Sequence, residues 1–350
     1  MIATSPARLP VPTSRRHAPT PERRAVASAP MRVSLAGGGS DLPPFLAGLG
    51  GRVVGTAVDL RVRAVVEPFD SGWVRLELSA TGLSITRRSA DPRCTDVDVR
   101  LLEQALACAG MTDGVRLRIE TDLVPGGGLG GSASAAVATF AALAASVGEP
   151  LALDREALVR DAVQVEREGL GLPCGSQDQI FAAHGGVLDL RFDAGGVTDR
   201  RRIEAPRALL DALEAGLVLV DTGQRRVSGE VIRRARYTEE TTRELVLAAG
   251  DVARALGEGA LGPVLAGMQR NQAAKVARDP AANAGAATLA DALGPLGAEV
   301  VRMCGAGGGG HVLVWAPRER HAAIEAALGA SVVRRPKIAA EGVRIEVDEV

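Results

Sequence analysis

The residues best suited to chemistry begin with a glycine run. Pro125-Gly126-Gly127-Gly128-Leu129-Gly130-Gly131-Ser132 follows a segment in which Val115, Leu117 and Ile119 alternate with Arg116, Arg118 and Glu120. The alternation predicts a half-buried strand, and the small apolar stretch from Ala133 to Ser146 predicts a helix. Strand, glycine loop and helix together turn backbone N–H groups towards an anion at a helix N-terminus. Glycines allow that anion to approach because they lack a Cβ, and Ser132 adds a hydroxyl where the helix opens. The chemistry is phosphate binding.

Two familiar phosphate loops fit poorly. A Walker A loop places lysine directly after glycine, and the only lysines are Lys275 and Lys337, neither of which follows one. Gly126, Gly128 and Gly131 do spell GxGxxG. That fingerprint also needs an acidic residue closing a second strand roughly 20 residues on. Here the helix runs into Leu151-Ala152-Leu153-Asp154, where Asp154 caps another helix.

The elements around the loop follow from the same patterns. Strands are expected at Met31 to Ala36, Arg52 to Asp59, Leu60 to Glu67, Trp73 to Leu78 and Leu83 to Arg87. Helices are expected over Val99 to Ala109 and Gln177 to His184, and several more over 229 to 293. Short strands follow at Leu217 to Val220, Val300 to Met303, His311 to Trp315 and Val343 to Val347. This mixed order, without regular strand–helix alternation, predicts an α+β fold. Residues 1–30 hold six prolines and five arginines without an apolar period, so they are expected to form a disordered tail. The remainder divides at about 205 into domains of 31–205 and 206–350.

Other classes are disfavoured. The 41 basic residues balance 42 acidic ones, so no global field favours a polyanion. Aromatic residues make up 2% of the chain, too few for the stacking platforms of a single-strand nucleic-acid binder. The run from Ala133 to Val147 is too short to span a bilayer. Cys94, Cys108, Cys174 and Cys304 show no CxxC and read as reduced thiols, which implies a cytoplasmic protein. His17, His184, His311 and His321 lack zinc-ligand spacing; His184 and His311 read as packing residues.

Three glycine motifs in order carry a resemblance. Pro125 to Ala133 is similar to the phosphate loop of the GHMP kinase superfamily, with Gly131 in place of its first serine. The segments from Ala29 to Asp41 and from Cys304 to Gly310 are similar to the other two motifs of that superfamily. Within it, Gly37-Gly38-Gly39-Ser40-Asp41-Leu42-Pro43-Pro44, Gly50 to Val54 leading to Asp59, and Gly175-Ser176-Gln177-Asp178-Gln179 followed by Gly185-Gly186 look most like the D-glycero-D-manno-heptose 7-phosphate kinases. Ser176 and Arg302 depart from that pattern, standing where lysine is common.

The resemblance implies a two-domain fold, with an N-terminal domain like ribosomal protein S5 domain 2 and a ferredoxin-like C-terminal domain. It also implies ATP as co-substrate, Mg²⁺, and a sugar phosphate whose anomeric hydroxyl is phosphorylated. Nucleic acid and membrane are not expected as partners, and a homodimer is left open. Asp178 matches the aspartate that accepts or orients the attacking hydroxyl, and Arg32 the basic residue beside it. Gly127, Gly128, Gly130 and Gly131 would donate amides to the ATP phosphates. Ser132 would join Glu166 at the metal, with Glu168 as the competing register. Ser40, Asp41, Gly175 and Gln177 would meet the sugar. Arg226 and Lys275 are candidates for a distal phosphate, while Arg270 and Arg278 read as solvated helix charges. The loop 305–310 is expected to pack under the site rather than ligate.

Overall fold

The computed structural model describes residues 19–42, 50–121, 123, 126–148, 153–225, 228–236, 238–329, 331 and 333–347. Residues 1–18, Pro43, Pro44, Pro125 and Arg226 therefore lie outside the described residues. From the N-terminus run β1 (Ala25–Ala36), β2 (Gly51–Pro68), β3 (Trp73–Leu78), β4 (Leu83–Arg88), α1 (Arg100–Cys108), β5 (Val115–Glu120) and α2 (Gly131–Ser146). Next come α3 (Arg155–Gln164), extended by a π turn over Val165–Gly169, then α4 (Gln177–His184), β6 (Val187–Asp193) and β7 (Gly196–Arg202). The second half holds α5 (Arg207–Gly216), β8 (Leu217–Asp221), α6 (Ser228–Arg234), α7 (Glu239–Glu258), α8 (Leu261–Arg278) and α9 (Pro280–Leu293). It closes with β9 (Val300–Met303), β10 (His311–Trp315), α10 (His321–Leu328), β11 (Val333–Arg334) and β12 (Arg344–Val347).

Local chemistry sets these boundaries. The residues of β5 alternate between buried and half-buried, as its apolar and charged side chains do. Asp154 caps α3 by accepting a hydrogen bond from the Ala157 amide at 3.0 Å. Thr238 and Thr241 form a reciprocal box that starts α7. Almost every residue of α2 is buried, as expected for a helix apolar on all sides. Its alanines let the sheet approach closely, so a core nearly free of aromatic residues still packs.

Two sheets result. The first follows the order β12-β1-β2-β5-β3-β4, with β6 on the other half of β2 and β7 beyond it. The second has the antiparallel order β11-β8-β10-β9. Helices separate β8 from β9 and β10 from β11, which is the ferredoxin-like pattern. The chain thus has a mixed α+β fold built on two separate sheets. Among the described residues, no helix is long and apolar enough to cross a membrane.

Several expectations need correction. The segment 25–30, assigned above to a disordered tail, forms the first half of β1 and is buried. Its residues pair with β2 on one side and, over Ala25–Ser28, with β12 on the other. A Pro/Arg-rich window hid these short apolar residues. Because β12 adds to the first sheet, the end of the chain packs with the N-terminal half rather than within a 206–350 unit. The runs 52–59 and 60–67 are one 18-residue strand. Pairing shifts between Pro30 and Met31 opposite them, so the strand bends without breaking. The β6–β7 hairpin was not anticipated: β7 reads as a charged surface because it is exposed on nearly every residue.

Candidate active site

Gly126, Gly128 and Gly130 all adopt positive φ, at 87°, 78° and 76°. Alternation of this kind makes a concave nest of amides, which explains the G-x-G-x-G spacing. The carbonyls of the loop are held by the protein. His311 donates its backbone N–H to Gly127 O at 2.9 Å, and its Nδ1 lies equally close to that oxygen. Arg32 Nη1 donates to Gly128 O at 2.7 Å, and Arg32 N to Leu129 O at 3.0 Å. In a trans peptide the N–H points opposite the C=O. The amides of Gly128, Leu129 and Gly130 therefore face away from the protein. Leu129 was missed in the sequence because only its backbone takes part.

Helix α4 starts beside this nest. Its Asp178 lies so close to the α2 N-cap that a Cβ on Gly130 would stand 3.3 Å from Asp178 Oδ2. Two helix N-termini thus meet at one point, which favours negative charge there. Arg32 grips Asp178 with a fork, Nε to Oδ1 at 2.8 Å and Nη2 to Oδ2 at 2.6 Å. The Arg32 side chain is 7% exposed and that of Asp178 27%, so the carboxylate is the member facing the opening. One arginine therefore fixes both the carboxylate and the loop.

The π turn after α3 rotates Glu166 inward, where it is buried, while Glu168 stays exposed and accepts from Gln164. Glu166 accepts from the Ser132 hydroxyl with one oxygen and from Gln179 with the other. Burial, reinforced by the charge of Asp178, pushes its carboxyl up to about 8. Hydroxyl plus carboxylate is an oxygen set that suits a hard cation completed by substrate phosphates. A cation beside the buried carboxyl would also favour its charged form. Among the described residues, no three His, Cys, Asp or Glu side chains converge as a metal cluster. A cation here would need oxygens from a ligand as well.

The raised Glu166 carboxyl has a consequence for stability. The folded chain keeps a proton that the unfolded chain releases, so this contribution is complete below the ordinary carboxylate value of 4.5 and is lost as pH rises through about 8. In EDTA, the Tm of the native chain is therefore expected to drop below that of Glu166→Gln as pH is raised across this window. Calorimetric scans of both proteins check this, and parallel curves would show Glu166 ionised throughout.

On the other flank, Asp41 is buried and its carboxyl is raised by desolvation and by the charge of Asp178. Gln177 donates to it from Nε2 at 2.7 Å and from its backbone N at 3.3 Å. Gly175 is required there, since a Cβ would stand 1.7 Å from Asp41 Oδ2. Gln177 Oε1 and Ser34 Oγ are buried without hydrogen-bond partners among the described residues. Both lie next to Gly38, from whose Cβ position they stand 3.9 and 2.8 Å away. Ser34 was not a sequence candidate, because a serine on a strand carries no signal.

Three sequence readings, two of them site candidates, differ from the structure. Ser40 does not face the site: its hydroxyl donates to Arg52 O at 3.0 Å and accepts from Arg52 N at 3.1 Å, locking the turn onto β2. Lys275 is buried, with Nζ donating to Met303 O and to Gly305 O at 3.2 and 2.6 Å, so it secures the third glycine loop. Arg278, taken for a solvated charge, is buried with its guanidinium against Gly39. Arg225, which directly precedes the candidate Arg226, forms a fork with Asp221. The loop 305–310 braces the phosphate loop: a Cβ on Gly310 would stand 2.6 Å from Gly127 O.

Residues 98–186 match the GHMP kinases N-terminal domain and residues 252–333 the GHMP kinases C-terminal domain. The chain thus carries segments similar to both the N- and the C-terminal domain of the GHMP kinases. It is 25% identical over 169 residues to a D-glycero-alpha-D-manno-heptose 7-phosphate kinase of Campylobacter jejuni, covering 47% of this chain and 49% of that protein. It is 30% identical over 181 residues to a mevalonate kinase of Archaeoglobus fulgidus, covering 52% and 55%. The chain thus spans about half the length of the curated relatives it matches. Among solved structures, a D-glycero-D-manno-heptose 1-phosphate kinase from Bacteroides thetaiotaomicron superposes with a TM-score of 0.76 at 22% identity, covering 93% of this chain and all of that one. Lactococcus lactis galactokinase complexed with galactose gives 0.73 at 16% identity, over 92% and 95% of the two chains.

Proposed function

We propose that this protein is an ATP- and Mg²⁺-dependent kinase, cytoplasmic, that phosphorylates the anomeric hydroxyl of a heptose 7-phosphate. The product would be a 1,7-bisphosphate on the way to a nucleotide-activated heptose. The observation that carries the reading is the Asp178 carboxylate, fixed by Arg32 at the mouth of the glycine nest and flanked by the polar group of Asp41, Gln177 and Ser34. The name of the Campylobacter jejuni relative supports the substrate class.

Phosphoryl transfer needs positioning and charge neutralisation more than covalent help from the protein. The outward amides of Gly128, Leu129 and Gly130 hold the terminal phosphates of ATP. Asp41 and the free oxygens of Gln177 and Ser34 orient sugar hydroxyls. The attacking hydroxyl donates to Asp178, its oxygen bonds to the γ-phosphorus as the bond to the β-γ bridging oxygen breaks, and the proton ends on Asp178 while ADP leaves. Arg32 stabilises the charge beside it. Ser132 and Glu166 would hold Mg²⁺, which when bound neutralises phosphate charge.

A sugar already bearing phosphate needs a cation. Arg278, buried against the Gly39 turn next to Asp41, is the best placed of those described. Arg278→Ala is expected to raise KM for the phosphorylated sugar by about 10- to 100-fold, the range for hydrogen bonds to charged groups. The KM for ATP should be unchanged. Steady-state assays over a panel of free and phosphorylated sugars test both claims. A second reading, an anomeric kinase acting on an unphosphorylated sugar, is favoured by the commitment of Lys275 and Arg225 to protein partners. Turnover of free sugars but not of heptose 7-phosphate would establish it.

A further inference from the structure

A cleft of about 440 Å³ lies at the far end of α4 from Asp178, lined by Arg155, His184, Arg200, Arg202, Glu341 and Gly342 among others. His184 ends the helix whose first turn carries Asp178, six residues or about 9 Å along the axis. The arginines come from three places: the start of α3 and two positions along β7.

Capping of the helix explains part of this cluster. Arg155 donates to Ala183 O, and Arg202 donates to His184 O at 3.3 Å and to Ala340 O at 3.2 Å. Arg200 contacts the Glu156 carboxylate and His184 Nε2. Each guanidinium has five N–H donors, and these contacts use only one or two. The charges are also unbalanced. Glu156 pairs with Arg200 and approaches His184, and Glu341, which also lines the cleft, pairs with Arg344 at 2.8 Å. Burial and the nearby arginines, Arg200 foremost, pull His184 down to about 4, so its ring is neutral. Counted with Arg344, four guanidiniums against the two carboxylates of Glu156 and Glu341 leave two positive charges at the cleft. Gly186 makes room for the group: its φ is +75°, and a Cβ there would stand 2.2 Å from Arg202 Nη1.

We propose that this cleft is a second anion site, separate from the candidate active site, which takes a phosphorylated small molecule through Arg155, Arg200 and Arg202. A phosphate monoester carries about −1.5 to −2 charges near neutral pH, matching the excess, and guanidinium forks suit its oxygens. The volume falls in the range of small-molecule pockets, so the ligand carries a skeleton as well as the phosphate.

His184 reports on the cleft directly. In the full-length protein labelled with nitrogen-15, its ring signals are assigned through His184→Gln and followed during titration with glucose 6-phosphate. The expected result is a saturable shift of His184, with His321 unmoved. The apparent affinity should fall at least tenfold in Arg155→Gln/Arg200→Gln and in Arg202→Gln, with His321 at its native position as the check on folding. No His184 shift, the same shift with sodium chloride at matched ionic strength, or an unchanged titration in folded variants would overturn the proposal. So would a shift of His311 alone, which would place the anion at the glycine nest instead.

Discussion

Asp178→Asn is expected to lower kcat by about 10²- to 10⁴-fold, the usual size of a general-base contribution, while ATP still binds. Asparagine preserves the shape of the side chain but cannot take the proton of an attacking hydroxyl. Arg32 would also lose its charged partner, although it would keep its bond to Gly128 O. The loop should therefore hold its shape and the loss should fall on the chemical step. Coupled measurement of ADP release gives kcat, and calorimetric titration with a non-hydrolysable ATP analogue gives nucleotide affinity. Native turnover in the variant would remove Asp178 from the mechanism. Lost turnover together with lost ATP binding would mean that the Arg32 fork is needed to shape the nest.

The other large effect comes from a single methyl group. Gly175→Ala places a Cβ 1.7 Å from Asp41 Oδ2 and 2.3 Å from its Cγ. Asp41 is buried and held by two donors of Gln177, so it has little freedom to swing aside. Either the carboxylate leaves its partners or the loop before α4 moves, carrying the Asp178 turn with it. Overpacking of this kind costs about 1–3 kcal/mol, which corresponds to about 5- to 150-fold in kcat/KM for the sugar. The KM for ATP should change little, because the nest is anchored separately by Arg32 and His311. Assays with either substrate varied separate the two. Equal losses for both substrates would show that the loop, rather than Asp41, takes up the strain.

Much of the fold was legible because its signals are local. Alternation marked β5, an aspartate cap marked α3, and the extent of α4 followed from its residues alone. The errors arose where pairing partners lie far along the chain. Nothing near Ala25 shows that β2 and β12 will flank it, and β7 is a strand only because β6 lies beside it. Short alanine-rich or arginine-rich strands have weak intrinsic preference, and tertiary pairing decides them.

The candidate site divides in the same way. The amino-acid sequence alone determined the phosphate loop, since three positive-φ positions within five residues demand glycine whatever surrounds them. It also determined the absence of a Walker lysine. The tertiary structure decided which side chains face that loop. Glu166 rather than Glu168 turns inward through a π turn, Ser40 and Lys275 are drawn into structural bonds, and Arg278 is buried from a helix that reads as solvated. Backbone conformation depends on neighbours along the chain, whereas the direction and partners of a polar side chain depend on which distant groups are buried beside it.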